Sequence, residues 1–198
     1  KPQRVAGGVD EPALPTLIPG PSGGWTGTPG LEGHRLGRNF STAFTLVGRE
    51  LEDSGVGTAV AVFSCEDADA ELALDVRIEL FESGLMRQRL TITNLAETPF
   101  ELQQLRATFP VPHYATEVLD TAGRWMRERS PQRHNLTVGA YSRSSRKGRP
   151  GADATGLLIV GEPGFGFRDG DAWGIHVGWS GNHTIAAEKN VLGESVIS

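Results

Sequence analysis

The chain has 198 residues, 38% of them hydrophobic and 22% charged, with a net charge of −5. These values suit a globular domain and exclude a dedicated nucleic-acid binder as a whole-chain property. No run approaches the roughly 18 apolar residues of a membrane-spanning helix, and the single Cys65 excludes an internal disulfide framework. The 26 Gly and 12 Pro exceed ordinary usage and call for many turns and few long helices.

Residues 1–41 hold prolines at positions 2, 12, 15, 19, 21 and 29. Proline removes backbone donors and glycine removes restraint, so a long irregular N-terminal arm is expected there, belonging to the same domain as residues 42–198. From Ala43 the hydrophobic period becomes two. Thr58-Ala59-Val60-Ala61-Val62-Phe63 reads as a short apolar strand. Leu72, Leu74, Val76, Ile78 and Leu80 then alternate with polar or smaller residues, the pattern of a half-buried strand. Ser83-Gly84 turns the chain, and the next strand returns with Leu90 and Ile92 inward. Residues 100–109 read as a further strand, whose apolar positions change phase between Leu102 and Leu105 and so predict a bulge.

The last third repeats the pattern. Residues 155–160 form a short buried strand, and Asp169-Gly170-Asp171 reads as a tight hairpin turn. In residues 173–180, Trp173, Ile175, Val177 and Trp179 share one face, which predicts a central strand with those four side chains buried. No segment sustains a 3.6-residue period over three turns. The expected fold is all-β, an antiparallel sandwich.

Catalytic constellations are absent from the pattern. Hydrolysis of a glycoside needs two carboxyl groups across the scissile bond, and no spacing places such a pair. Asp67 and Asp69 fall in a connection that reads as a solvated turn. The five histidines, at 34, 113, 134, 176 and 183, lack ligand spacing, so neither a metal nor a cofactor is expected. Cys65 ends an apolar strand and reads as a small packed hydrophobe. No basic start leads into an apolar segment, and cytoplasmic residence without a membrane partner is expected.

Two features stand apart. Residues 124–149 contain eight basic side chains and one acidic, a charge of +7 that leaves −12 for the rest of the chain. The strip fits a basic loop docking on an acidic surface of its own assembly, or nucleic acid stacked on Trp125 and Tyr141. Trp25 lies in Gly23-Gly24-Trp25-Thr26-Gly27-Thr28-Pro29-Gly30, where the indole either packs locally or is offered to a ligand.

Three blocks in order, Gly123-Arg124-Trp125-Met126-Arg127-Glu128-Arg129, then Ser145-Arg146-Lys147-Gly148-Arg149, then the run from Trp173 to Trp179-Ser180-Gly181-Asn182, resemble the N-terminal domain of glycoside hydrolase family 36 α-galactosidases. The early Leu14-Pro15 and Gly23-Gly24-Trp25 stretch is similar too. The resemblance implies a β-supersandwich preceding a (β/α)₈ barrel, which supplies two aspartates for retaining hydrolysis of terminal α-galactosyl bonds without metal or cofactor. A barrel needs about 250 residues of its own, and its Lys-Trp-Asp segment has no match here. The resemblance therefore implies no catalytic residue in this chain, an α-galactoside substrate and C-terminal barrel as partners in the full enzyme, a homo-oligomer and no nucleic acid. It makes Trp25 the substrate-binding candidate, on a glycine-flanked loop whose ring is expected to project. The Pro150-Gly151-Ala152-Asp153 stretch departs from the family's usual Thr-Ser-His continuation. A stand-alone carbohydrate-binding or interaction module is the alternative.

Overall fold

The computed structural model describes residues 16–53, 57–153 and 155–198. The first fifteen residues of the expected arm, with Pro2, Pro12 and Pro15, lie outside them. The chain divides into two compact units, residues 1–107 and 108–198.

In the first unit a 3₁₀ turn at Pro21–Gly23 precedes six strands: β1 Leu31–His34, β2 Thr45–Asp53, β3 Thr58–Asp67, β4 Leu72–Phe81, β5 Met86–Asn94 and β6 Glu101–Leu105. Strands β2 to β5 form an antiparallel meander in chain order, and β1 pairs with β6. Part of the expected irregular arm is thus a strand. Four residues including Gly33 carry too little periodicity to announce it, and the partner strand lies about 70 residues downstream. The predicted phase change is real: Glu32 pairs with Gln104 and Gly33 with Leu102, leaving Gln103 as the extra residue of a bulge.

Alternation in β4 buries Leu72, Leu74 and Val76 to 1% exposure or less, but the row fades, and Leu80 is 51% exposed. Two polar side chains hold the opposite end. The guanidinium of Arg35 donates to the Ala70 carbonyl at 3.0 Å and to Asn94 Oδ1 at 2.8 Å, and also reaches Thr98. Asp67 is buried rather than solvated. Its carboxylate accepts the backbone N–H groups of Ala43 at 2.7 Å, Asp69 at 3.0 Å and Ala70 at 2.9 Å, so it caps the β3–β4 connection.

The second unit holds β7 Phe109–Val111, β8 Glu117–Arg124, β9 Arg127–Asn135, β10 Gly139–Ser145, β11 Leu157–Gly161, β12 Ala172–His176, β13 His183–Lys189 and β14 Ser195–Ile197. Residues 100–109 are therefore two strands, β6 and β7, interrupted where the chain passes between units. The eight strands form two antiparallel sheets, β10-β13-β14-β7 and β12-β11-β8-β9. Val118, Leu158 and Val160 of one sheet share a core with Val111, Ile185 and Ile197 of the other, which is a sandwich.

The 173–180 segment departs from expectation. β12 ends at His176, pairs only with β11 and is an edge strand. Trp173, Ile175 and Val177 are half-buried and pack on the core, while Trp179 lies past the strand and is 64% exposed. Between β11 and β12 the connection is long: Glu162 N–H meets the Asp171 carbonyl at 3.0 Å and Gly166 N–H the Asp169 carbonyl at 2.8 Å.

On the first unit's sheet, Glu79 accepts from Arg87 and from Arg77 Nε, the latter at 3.1 Å. The hydrogen bonds from Arg87 and Arg77 hold its carboxyl at about 2, below the ordinary 4.5. A depressed carboxylate contributes stability that is present above the unfolded pKa and lost as pH falls through the folded one. Stability should therefore decline between about pH 4.5 and about pH 2, and the Glu79→Gln variant should lack that part of the slope. Urea titrations of both proteins across that window check it.

Candidate functional site

The loop around Trp25 is closed on itself. Gly30 N–H donates to the Pro19 carbonyl at 2.7 Å, joining the loop's ends, and Trp25 N–H reaches the Gly20 carbonyl at 3.2 Å. Gly24 makes the reversal possible at φ 85°, in the left-handed region that side chains disfavour. The chain then brings the indole back over its own loop, where Nε1 donates to the Thr28 carbonyl at 3.0 Å. Trp25 is only 7% exposed. The projecting ring expected from the glycine-rich sequence is not found, because the loop satisfies both the apolar body and the polar N–H of the indole.

The basic strip is not a loop. It forms the end of β8, all of β9 and β10, and the turns that follow β8 and β10. Three of its cations are committed: Arg133 pairs with Glu117, Arg143 Nε with Asp120 at 3.2 Å, and Lys147 with Asp153 at 2.8 Å. The Gly164 N–H first, then Arg133, keep the Glu117 carboxyl below its usual range. Arg124, Arg127, Arg129, Arg146 and Arg149 make no ion pair among the described residues.

Tyr141 is not a free stacking platform. Its hydroxyl donates to Asp120 at 2.9 Å and its ring stacks on His134 with centroids 4.5 Å apart. Burial, reinforced by the Asp120 bond, pushes the phenol up to about 12. Trp125, by contrast, is 82% exposed at the β8–β9 turn beside Met126 at 83%. Met126 (φ 67°) and Arg129 (φ 55°) both hold left-handed backbone, a conformation costly for such side chains and kept only where its surroundings impose it. Glu128 supplies part of that imposition by accepting the Met126 N–H at 3.0 Å. A shallow depression of about 300 Å³, lined by Ala122, Gly123, Arg124, Arg127, Ser130 and Gln132, lies along this hairpin.

Three of the buried carboxylates are engaged by neighbouring groups. Asp67 caps a turn, Glu79 binds two arginines and Asp120 binds Tyr141 and Arg143. The same residues hold no group of three His, Cys, Asp or Glu side chains suited to a metal ion. Cys65 is half-buried, and burial, then Asp75, pushes its thiol up, away from nucleophilic chemistry. No described helix is long and apolar enough to cross a membrane.

Comparison with known proteins adds the family. The profile of the glycosyl hydrolase family 36 N-terminal domain matches residues 5–198. An Escherichia coli α-galactosidase is 35% identical over 189 residues, 96% of this chain and 26% of that protein. Among solved structures, an α-galactosidase of Geobacillus stearothermophilus in complex with raffinose superposes with a TM-score of 0.79 at 15% identity, over 86% of this chain and 26% of its own. The Lactobacillus brevis α-galactosidase gives 0.79 at 21% identity, over 87% and 25%. At those identities the structural likeness speaks to the fold. The chain spans about a quarter of the length of the relatives it matches.

The two tryptophans should now behave oppositely on truncation. Trp25→Ala removes a buried indole and should cost about 3–5 kcal/mol, lowering the denaturation midpoint. Trp179→Ala removes an exposed ring and should change stability by about 0.5 kcal/mol. A midpoint comparison of the two variants reads both outcomes.

Proposed function

The chain belongs to the glycosyl hydrolase family 36 N-terminal domain family, and from that premise we propose that it is the non-catalytic N-terminal domain of a retaining α-galactosidase. Support comes chiefly from the 35% identity to the Escherichia coli enzyme, which extends over almost the whole chain. In this reading a (β/α)₈ barrel follows residue 198 and carries the acid and the nucleophile. The substrate class is a terminal α-galactoside, and no metal or cofactor takes part. The domain flanks the sugar pocket and contributes to contacts between subunits of a homo-oligomer, in the cytoplasm.

The division of labour follows from chemistry. Retaining hydrolysis requires two carboxyl groups about 5 Å apart, whereas the buried carboxylates of Asp67, Glu79 and Asp120 are held by arginines, a tyrosine and backbone N–H groups. Each is an acceptor engaged in structure rather than an acid awaiting substrate. The sugar-pocket contribution falls to the loop of residues 19–30. A direct stack of Trp25 on galactose requires the indole to leave the Thr28 carbonyl and its buried seat, so the buried ring favours Trp25 as the residue that fixes the loop's shape.

The full-length protein should hydrolyse an aryl α-galactoside, and the 198-residue chain alone should release none above the buffer rate. Turnover by the purified chain would overturn the assignment. In the full-length enzyme, Trp25→Ala separates the two roles of that residue: a loss of melting temperature with unchanged kinetics per folded molecule marks packing, and a rise of about ten-fold in KM marks sugar contact.

A further inference from the structure

Three connections of the second unit gather at one end. The β8–β9 turn lies beyond the Arg124–Arg127 pair, the β10–β11 connection leaves at Ser145 opposite His183, and the β12–β13 connection leaves at His176 opposite Leu157. They are tied together: Gly148 N–H donates to Asn182 Oδ1 at 3.0 Å, Val177 N–H to the Gly156 carbonyl at 2.9 Å, and the hydroxyls of Thr121 and Thr155 meet at 2.9 Å. This end therefore has a defined shape. Trp125, Met126 and Trp179 stand largely exposed there, and the five arginines without ion pairs fall in the same hairpin and in the β10–β11 connection. The Trp179 indole lies close to Gly181, where a Cβ would stand only 2.2 Å from Nε1, and the side chain is still 64% exposed.

Tryptophan, methionine and arginine are the side chains enriched at the centres of protein interfaces. The occupant is indicated by the course of the chain. β14 runs antiparallel to β13, from Ser195 opposite Lys189 to Ile197 opposite Ala187, and Ser198 exchanges backbone bonds with Ala186 at 2.9 and 2.7 Å. The chain is thus heading toward the His183 end of β13, the same end. The relatives are about four times as long as this chain. We infer that this aromatic and cationic end of the second unit is the seat of the enzyme's catalytic domain, which meets it with apolar recesses for the two tryptophans and acidic side chains for the free arginines. The inference rests on the reading that such a domain follows. It adds where the domain sits and which side chains hold it.

Strain at the hairpin serves this role. Left-handed backbone at Met126 and Arg129 aims the Trp125–Met126 tip before any partner arrives, so docking need not order it. The charge asymmetry of the sequence has the same explanation, since the free cations lie where an acidic partner lands.

Hydroxyl-radical footprinting of the full-length protein tests the assignment. Phe167, fully exposed on the β11–β12 connection at the opposite end, serves as the internal standard for a free ring. Trp125, Met126 and Trp179 should be oxidised at least about ten-fold more slowly than their intrinsic reactivities predict when Phe167 is at its full rate, and independently of protein concentration. The double variant Arg124→Glu, Arg127→Glu should restore oxidation at Trp179 and split the melting curve into two transitions. If it does not fold, Trp125→Ala, which alters only an exposed tip, should raise Trp179 oxidation in the same way. Free-ring rates in a protein that hydrolyses galactosides would overturn the seat and leave the enzyme assignment standing. Protection in a protein without that activity would do the reverse. Protection that vanishes on dilution would place a second copy there instead, and protection that needs an added oligonucleotide would place a polyanion there. Either result overturns the inference.

Discussion

Asp120 is the constraint on which the second unit turns. It is 2% exposed, and a carboxylate that deep in a sandwich is tolerable only when its charge and lone pairs are met. They are met from three directions: the Thr121 N–H at 2.7 Å within its own strand, and the Tyr141 hydroxyl at 2.9 Å and Arg143 Nε at 3.2 Å from β10 in the facing sheet. The two sheets are thereby registered to each other at one point by groups that cannot slide without stranding a buried charge. Truncating any one partner would leave the others uncompensated, which is why such triads act as a unit. Arg143 also reaches the Asp153 carbonyl, so the same triad anchors the β10–β11 connection and, through the Gly148–Asn182 bond, the β12–β13 connection.

The first unit solves a similar problem with backbone acceptors and donors rather than an ion pair. Ala70 donates its N–H to Asp67 and gives its carbonyl to Arg35. One residue of the β3–β4 connection therefore ties the sheet to β1. Both devices use charged side chains to finish turns, and both consume carboxylates. In both, the carboxylate is held in place by the groups it accepts from.

Legibility in the sequence followed periodicity. The alternating row of β4 and the phase slip at Leu102–Leu105 were readable, because burial and register are imposed at every second residue. What escaped was whatever depends on a distant partner. β1 is four residues long and exists because β6 pairs with it. Asp67 and Asp69 are the same residue type two positions apart, yet Asp67 also accepts the Ala43 N–H, 24 residues away, a partner that no local pattern announces. The basic strip was visible as charge, but Arg127, Arg129 and Arg133 share one parity along β9 and only Arg133 meets a carboxylate, Glu117 of β8, a sorting that needs the strand pairings. For the candidate site, sequence located the strip and the Trp25 loop, but the resemblance put the Trp25 ring outward where local packing was the other reading, and alternation put Trp179 inward; the structure has the reverse of both.

The tryptophans show why exposure is hard to read from composition. Trp25 and Trp179 both sit among glycines, and Trp179 alone continues an apolar alternation, which favours the wrong one for burial. The deciding terms are a hydrogen bond and a strand end. Trp25 has an acceptor for its N–H three residues on, at Thr28, inside a loop closed between Pro19 and Gly30, so burying it leaves no donor unpaired. Trp179 lies three residues beyond the last pairing of β12 with β11, where the inward face has no neighbouring strand to continue the core. Trp173, still within the ladder, packs edge-on to Tyr114 at 5.8 Å and stays half-buried. An alternating apolar row is therefore a statement about a face only as far as the ladder runs. Beyond it the same residue type becomes surface.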